Sequence, residues 1–128
     1  MSAPEYRSRS CPPRSVERNE LQMTVQKISE LLHLTAINTE DDRGVNCVFC
    51  CDLLSVAMAK APEDSAWVTV IGNANTIAVA SLADVACIVL SEGYSYDEAA
   101  VKAAQCKITL LTSDKPTYET AVSIGELL

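Results

Sequence analysis

Six cysteines stand among 128 residues, and three of them cluster at Cys47, Cys50 and Cys51. Cys47-x-x-Cys50 has the spacing of a ligand pair for zinc or an iron–sulfur cluster, and the adjacent Cys51 would add a third thiol. The run Cys47-Val-Phe-Cys-Cys51 is apolar and strand-like, however, and side chains on a strand alternate faces. Cys47 and Cys51 are then expected to point one way and Cys50 the other. No second C-x-x-C follows. Cys87 and Cys106 fall at the start of a strand and the end of a helix, where a thiol behaves as a small buried hydrophobe. The cysteines therefore read as structural, with no metal and no cofactor. The alternative is a small thiol-dependent redox or metal-binding protein that uses Cys47, Cys50 and Cys51.

Other catalytic constellations are sparse, and no catalytic residue is assigned. His33 is the sole histidine and ends a helical pattern, where an exposed structural role is expected because a cation suits a helix C-terminus. Neither G-x-x-x-x-G-K-[ST] nor G-x-G-x-x-G occurs, and the chain has only four glycines, so the phosphate cradles of P-loop and classical dinucleotide sites are absent. Trp67 opens an apolar run and reads as core packing. Arg43 follows Glu40, Asp41 and Asp42, which predicts a local ion-pair turn. As the only Arg after residue 18, it is also the candidate for a specific anion contact.

Four short β-branched runs begin about twenty residues apart: Cys47–Cys51, Trp67–Ile71, Cys87–Leu90 and Lys107–Leu111. They are almost continuously apolar, as strands covered on both faces require, and that burial is characteristic of parallel sheets. Between them lie helix-length segments. Asp52 is placed to cap the first, Ser95 with Glu98 forms a capping box for a later one, and Asp114 or Thr117 can cap the last, Thr117–Leu128. Asn75–Asp84 mixes β-branched residues with a helical length, and the twenty-residue register predicts a helix. Ahead of the repeat, 24–32 spaces Val25, Ile28 and Leu31 as an amphipathic helix, and Thr35–Asn38 can add a strand. The expected fold is α/β: a small open, mostly parallel sheet with helices on its faces, a (βα)4-like repeat preceded by a helix.

In such sheets ligands bind outside the carboxyl ends of the strands, where helix N-termini present unpaired N–H groups. That edge is expected to gather Asp52 and Ser55, then Asn73 and Asn75, then Ser91 and Gly93, then Ser113. Its residues are small and polar, as βα turns also require for capping and positive φ. Lys115 is the one cation nearby.

Charge and length bound the rest. Residues 1–22 hold four Arg against three Glu, a net +1, and lack apolar periodicity. They are expected to form a disordered tail, with Met23 as a possible functional start. Residues 23–128 hold six Lys and Arg against fourteen Asp and Glu, a net −8, which disfavours nucleic acid as a partner. No apolar run approaches a membrane span and no secretory signal opens the chain. A cytoplasmic setting with reduced thiols is expected.

Cys51-Asp-Leu-Leu-Ser-Val-Ala-Met, Ala66-Trp-Val-Thr-Val and Asn75-Thr-Ile-Ala-Val-Ala-Ser-Leu-Ala-Asp-Val-Ala-Cys-Ile-Val-Leu-Ser-Glu-Gly93 together resemble the small stand-alone DRTGG-domain proteins, over about residues 24–128. Asp52 and Gly93 match the motif behind the family's name. Leu53, Ser91 and Glu92 stand where it has Arg, Thr and the first Gly, and the absent Arg removes the usual bidentate phosphate partner. The resemblance implies a regulatory and dimerisation module without chemistry of its own, such as those fused to nucleotide-sensing CBS domains. It further implies a homodimer, an adenine nucleotide as ligand, and partner proteins in the redox or hydrogenase metabolism of an anaerobe. On these grounds the sequence reads as a non-catalytic ligand-sensing or adaptor module.

Overall fold

The computed structural model describes residues 22–128. The expectation for the tail therefore falls, apart from Gln22, outside the described residues. The elements run α1 (Val25–Leu31), β1 (Thr35–Ala36), β2 (Cys47–Cys50), α2 (Leu54–Lys60), β3 (Ser65–Thr69), α3 (Ala74–Ala83), β4 (Cys87–Leu90), α4 (Glu98–Ala104), β5 (Thr109–Thr112) and α5 (Thr117–Leu127). They form one five-stranded sheet in the order β1-β5-β4-β3-β2. The four strands of the repeat pair in parallel, and β1 pairs antiparallel to β5. The expected mostly parallel α/β fold is what the chain adopts.

Alternation along the strands divides the core in two. Phe49, Trp67, Ile88 and Leu110 form one row across the sheet. Trp67, Ile88 and Leu110 pack with Ala57 of α2, Ala80 of α3 and Ala100 and Ala104 of α4, and Phe49 leans against them. The opposite face carries Ala66, Val68, Cys87, Val89 and Leu111, which pack with Val25 and Ile28 of α1 and Ile124 of α5. The crossovers of consecutive parallel strands thus all lie on one face, while α1 and α5 cover the other, with α5 lying over β2 and β3. Trp67 is fully buried, as expected, and its indole N–H donates to the Cys51 carbonyl at 2.9 Å.

The segment of mixed signals is α3. Asn73 caps it by accepting from the Thr76 N–H at 3.1 Å, and Asp84 ends it in the left-handed region at φ 60°. None of the three caps expected from the sequence is found at its helix. Asp52 does not cap α2, because its carboxylate turns sideways to the end of β3 and the helix begins only at Leu54 without a side-chain cap. Asp97, not Ser95, caps α4 by accepting from the Ala100 N–H at 2.8 Å. The capping box fails because Tyr96 drops into the core and the Asp97 N–H is held by the Gly72 carbonyl at 2.9 Å, which delays the helix by two residues. Neither Asp114 nor Thr117 caps α5, whose N-cap position is Pro116.

Arg43 also departs from expectation. Instead of closing a turn with Glu40, Asp41 and Asp42, its guanidinium bonds Asp64, Asp84 Oδ1 at 2.9 Å, and the carbonyls of Asp84 and Val85 at 3.0 Å. Asp64 is fully buried. Both aspartates hold positive φ, 61° and 60°, so this cluster ties two loops at the amino edge of the sheet. Fully engaged there, Arg43 is no anion contact at the opposite edge.

Candidate functional site

The carboxyl ends of β2, β3, β4 and β5 bring the sequence-predicted residues to one edge of the sheet in chain order. Asp52 follows β2, and its Oδ1 accepts from the Thr69 hydroxyl at 2.7 Å and the Val70 N–H at 3.0 Å. Ser55 lies exposed on α2. Asn73 is spent on capping α3, whereas Asn75 beside it is exposed. Gly72 is needed for close approach: a Cβ there would lie 2.7 Å from Leu90 Cδ1 and 3.0 Å from the Ser95 carbonyl.

Beyond β4 and β5 the edge is a closed polar network. Ser91 is fully buried and its hydroxyl lies 2.7 Å from that of Thr117. Ser113, also buried, pairs its hydroxyl with Thr120 at 3.0 Å and accepts from the Lys115 N–H at 3.2 Å. Two further bonds join the loops, Glu92 N–H to the Lys115 carbonyl at 2.8 Å and Gly93 N–H to the Ser113 carbonyl at 3.0 Å. Glu92 and Gly93 both have positive φ, 62° and 74°. The expected role of Gly93 in a left-handed turn is therefore met, and a glutamate shares that backbone state.

A change of face occurs between these two strands. The helix after β4 joins α2 and α3 on one side, and the helix after β5 returns on the other. Adjacent parallel strands whose connections leave to opposite faces open a crevice at their carboxyl ends, which is where ligands of open α/β sheets bind. On the α4 side this space is filled by Tyr96, whose hydroxyl lies 2.8 Å from the Leu111 carbonyl and whose burial pushes its pKa well above the ordinary value of 10.0. On the α5 side a separate cleft of about 240 Å³ opens on the outer flank of β5, between its carboxyl end and the turn from α1 into β1, lined among others by Leu32, His33, Leu34, Thr35, Ser113, Asp114, Lys115, Thr120 and Ser123 and by no residue of β4 or its following loop. Of the seven sequence-predicted residues, Ser113 lines it. His33 is exposed, as expected, at φ 55° just after α1. With Lys115 it gives this cleft two cationic or protonatable groups beside the single carboxylate of Asp114.

Among the described residues, the cysteines do not converge. Phe49 and Cys51 pack toward one core and Val48 toward the other, while Cys47 is buried and Cys50 exposed. Partial desolvation of the Cys50 thiol at this surface raises its pKa, and the neighbouring Asp52 and Cys51 add to the shift. Among the described residues, no three His, Cys, Asp or Glu side chains come together as a metal-holding group. Cys87 is buried as expected, whereas Cys106 is exposed at φ 61°, because α4 ends at Ala104 and leaves it in the following turn. Among the described residues, no helix is long and apolar enough to cross a membrane.

Sequence reasoning missed Tyr96, Thr120 and the meeting of His33 and Lys115 in one cleft. Only Lys115 carried a signal, as the cation nearest the predicted edge.

No protein-family model matches the chain, and neither does any curated protein. Among solved structures, the fold is similar to the CBS and DRTGG domains of the regulatory region of a Clostridium perfringens pyrophosphatase, determined in complex with its activator, diadenosine tetraphosphate. The TM-score is 0.67 at 13% identity, over 90% of this chain and 53% of that one. The chain thus spans about half the length of that structure, and what the two share is an α/β fold like that of the CBS and DRTGG region.

Proposed function

We propose that the chain is a non-catalytic ligand-sensing module of a regulatory assembly. It holds a small ligand at the carboxyl edge of its sheet, with an adenine nucleotide as the first candidate, and it acts as a homodimer. The observation that carries this reading is an open cleft beside Ser113 at the carboxyl end of β5, the edge where open α/β sheets bind ligands, lined by His33 and Lys115 as well as by Leu32 and Leu34. The absence of chemistry from this reading follows from the partners of the serines. Ser91 and Ser113 are paired with the hydroxyls of Thr117 and Thr120, and a threonine hydroxyl is no general base for activating a nucleophile. The nucleotide draws support from the similar pyrophosphatase region, which binds an adenine dinucleotide as activator. Partner proteins from redox or hydrogenase metabolism rest on the sequence resemblance alone.

The test is an amide chemical-shift titration of the full chain with AMP, ADP, ATP and diadenosine tetraphosphate. Saturable shifts should cluster at residues 112–115 and spread to 91–93 through the hydrogen bonds that join the two loops. Shifts confined to the opposite, amino edge around Arg43 and Asp84 would overturn the placement.

A further inference from the structure

Charge is spread unevenly over the cavities that the described residues enclose. One of about 220 Å³ beside α1 is lined by Glu30, Glu40, Asp41 and Asp42 and by no cation. At the amino edge Arg43 lines another, but its guanidinium is already bonded to Asp64 and Asp84. The cleft beside Ser113 differs from both, because it presents two basic side chains, His33 and Lys115, against the one carboxylate of Asp114. They meet in a body, residues 23–128, that sets six Lys and Arg against fourteen Asp and Glu and holds the sole histidine. The rest of the lining is hydroxyl-bearing, as at Thr35 and Ser123, or aliphatic, as at Leu32 and Leu34. Among the described residues that line it, none is asparagine or glutamine, and no ring is aromatic except the His33 imidazole. Adenine is told from other bases by paired hydrogen bonds to a side-chain amide, and bases in general are held by stacking on aromatic rings.

We propose that this cleft recognises its ligand by a phosphoryl group held between His33 and Lys115, and that it leaves the base of a nucleotide unread. This rests on the ligand-sensing reading above and names the chemical class the site takes: small organic phosphates, nucleotides and sugar phosphates alike. An imidazole N–H and the lysine ammonium both donate, and the oxygens of a phosphoryl group only accept, so the two sides of the contact match in charge and in hydrogen bonding. A cationic spot in an otherwise acidic body also draws anions to this edge of the sheet in preference to the rest of the surface. Asp114 stands against the same group and weakens the contact. Leu32 and Leu34 offer the remainder of the ligand an apolar wall, and burial against such a wall is non-directional, so it does not separate adenine from guanine.

Calorimetric titration of the full chain with AMP, GMP, ribose 5-phosphate and adenosine tests this. The three phosphates should bind within roughly threefold of one another, because an apolar wall does not select among bases. Adenosine should bind roughly tenfold more weakly or worse, since it makes none of the charge-assisted hydrogen bonds. His33→Asn keeps a residue suited to the backbone at φ 55°. That variant and Lys115→Ala should each weaken all three phosphates by roughly three- to fivefold, the worth of an exposed ion pair. Asp114→Asn should tighten them, and Lys102→Ala on α4, outside the cleft, should change nothing. Circular dichroism checks that each variant is folded, and a gain of affinity in Asp114→Asn cannot come from a damaged fold. Adenosine bound as tightly as AMP, or AMP bound roughly tenfold more tightly than GMP and ribose 5-phosphate, would mean that the base is read. Either result overturns this recognition and leaves a nucleotide-sensing module standing. Phosphates bound equally well by wild type, His33→Asn and Lys115→Ala overturn the two side chains as the holders. Binding of none of the four overturns the recognition and the nucleotide reading together.

Discussion

The carboxylate of Glu92 accepts the backbone N–H of Thr117 at 2.8 Å, so α5 is capped by a residue 25 positions earlier in the chain. Its own N-cap position is Pro116, which makes no side-chain cap hydrogen bond. The bond places a negative charge on the positive end of the helix dipole and holds the β4–α4 loop against the β5–α5 loop. The β4–α4 loop and the β5–α5 loop, which lines the candidate cleft, are therefore one mechanical unit.

Removing that carboxylate should loosen the unit. Glu92→Ala should cost about 0.5–2 kcal/mol, the usual worth of a lost cap, read from the midpoint of urea unfolding. Glu92→Gly should cost less, because the backbone at φ 62° is a left-handed state that glycine adopts without penalty. Equal losses in the two variants would mean that the backbone state carries no strain.

At the opposite edge, Arg43→Ala should be among the most damaging single changes. It removes the guanidinium from the fully buried carboxylate of Asp64, and breaking a buried pair by removing one partner costs about 3–5 kcal/mol. Arg43→Lys should recover little, since one ammonium cannot reproduce the guanidinium's bonds to two carboxylates and two carbonyls. Urea unfolding of the two variants against wild type measures both effects.

Alkaline pH should destabilise the fold through two acids, the buried Cys87 thiol and the partly buried Tyr96 phenol. Burial raises the Cys87 thiol from 9.0 to about 12, the Arg43 guanidinium only partly opposing it, and burial likewise raises the Tyr96 phenol above 10.0. In both cases the native state keeps a proton that the unfolded chain gives up. The stabilisation is therefore intact below pH 9 and falls away as pH rises from 9 toward 12. Each group contributes a slope of up to about 1.4 kcal/mol per pH unit. Cys87→Ala should flatten the decline between pH 9 and 11, measured by unfolding free energy at each pH, and an unchanged slope would show that the thiol is not the source.

The fold was legible because its signal is periodic. Four apolar runs at a twenty-residue spacing demand a sheet covered on both faces, and even the ambiguous Asn75–Asp84 segment was settled by that register and found as α3. The caps were less legible, because capping is a competition among neighbours that only tertiary structure decides. Asp52 was drawn away to Thr69 across the strand gap, and Ser95 lost its place when the burial of Tyr96 shifted the start of α4. The role of Arg43 was hidden for a related reason. Three acids stand beside it in sequence, but Asp64 and Asp84, from loops 21 and 41 residues away, hold it. The edge that gathers the candidate residues followed from strand direction. Where the cleft opens along it depends on which face α5 returns to, and no local pattern encodes that.

The measurement that bears most directly on a ligand-sensing module is calorimetric titration of the wild type and Lys115→Ala with AMP, ADP, ATP and diadenosine tetraphosphate, with the nucleotide analysed afterwards. Lys115 lines the cleft and its side chain is exposed, so its replacement should leave unfolding within about 0.5 kcal/mol of wild type. The account predicts saturable heat with at least one nucleotide, binding weakened severalfold in Lys115→Ala, and nucleotide recovered intact. No heat with any of the four at millimolar concentration would contradict nucleotide sensing. Consumption of ATP in proportion to wild-type protein, abolished in Lys115→Ala, would contradict the non-catalytic reading itself.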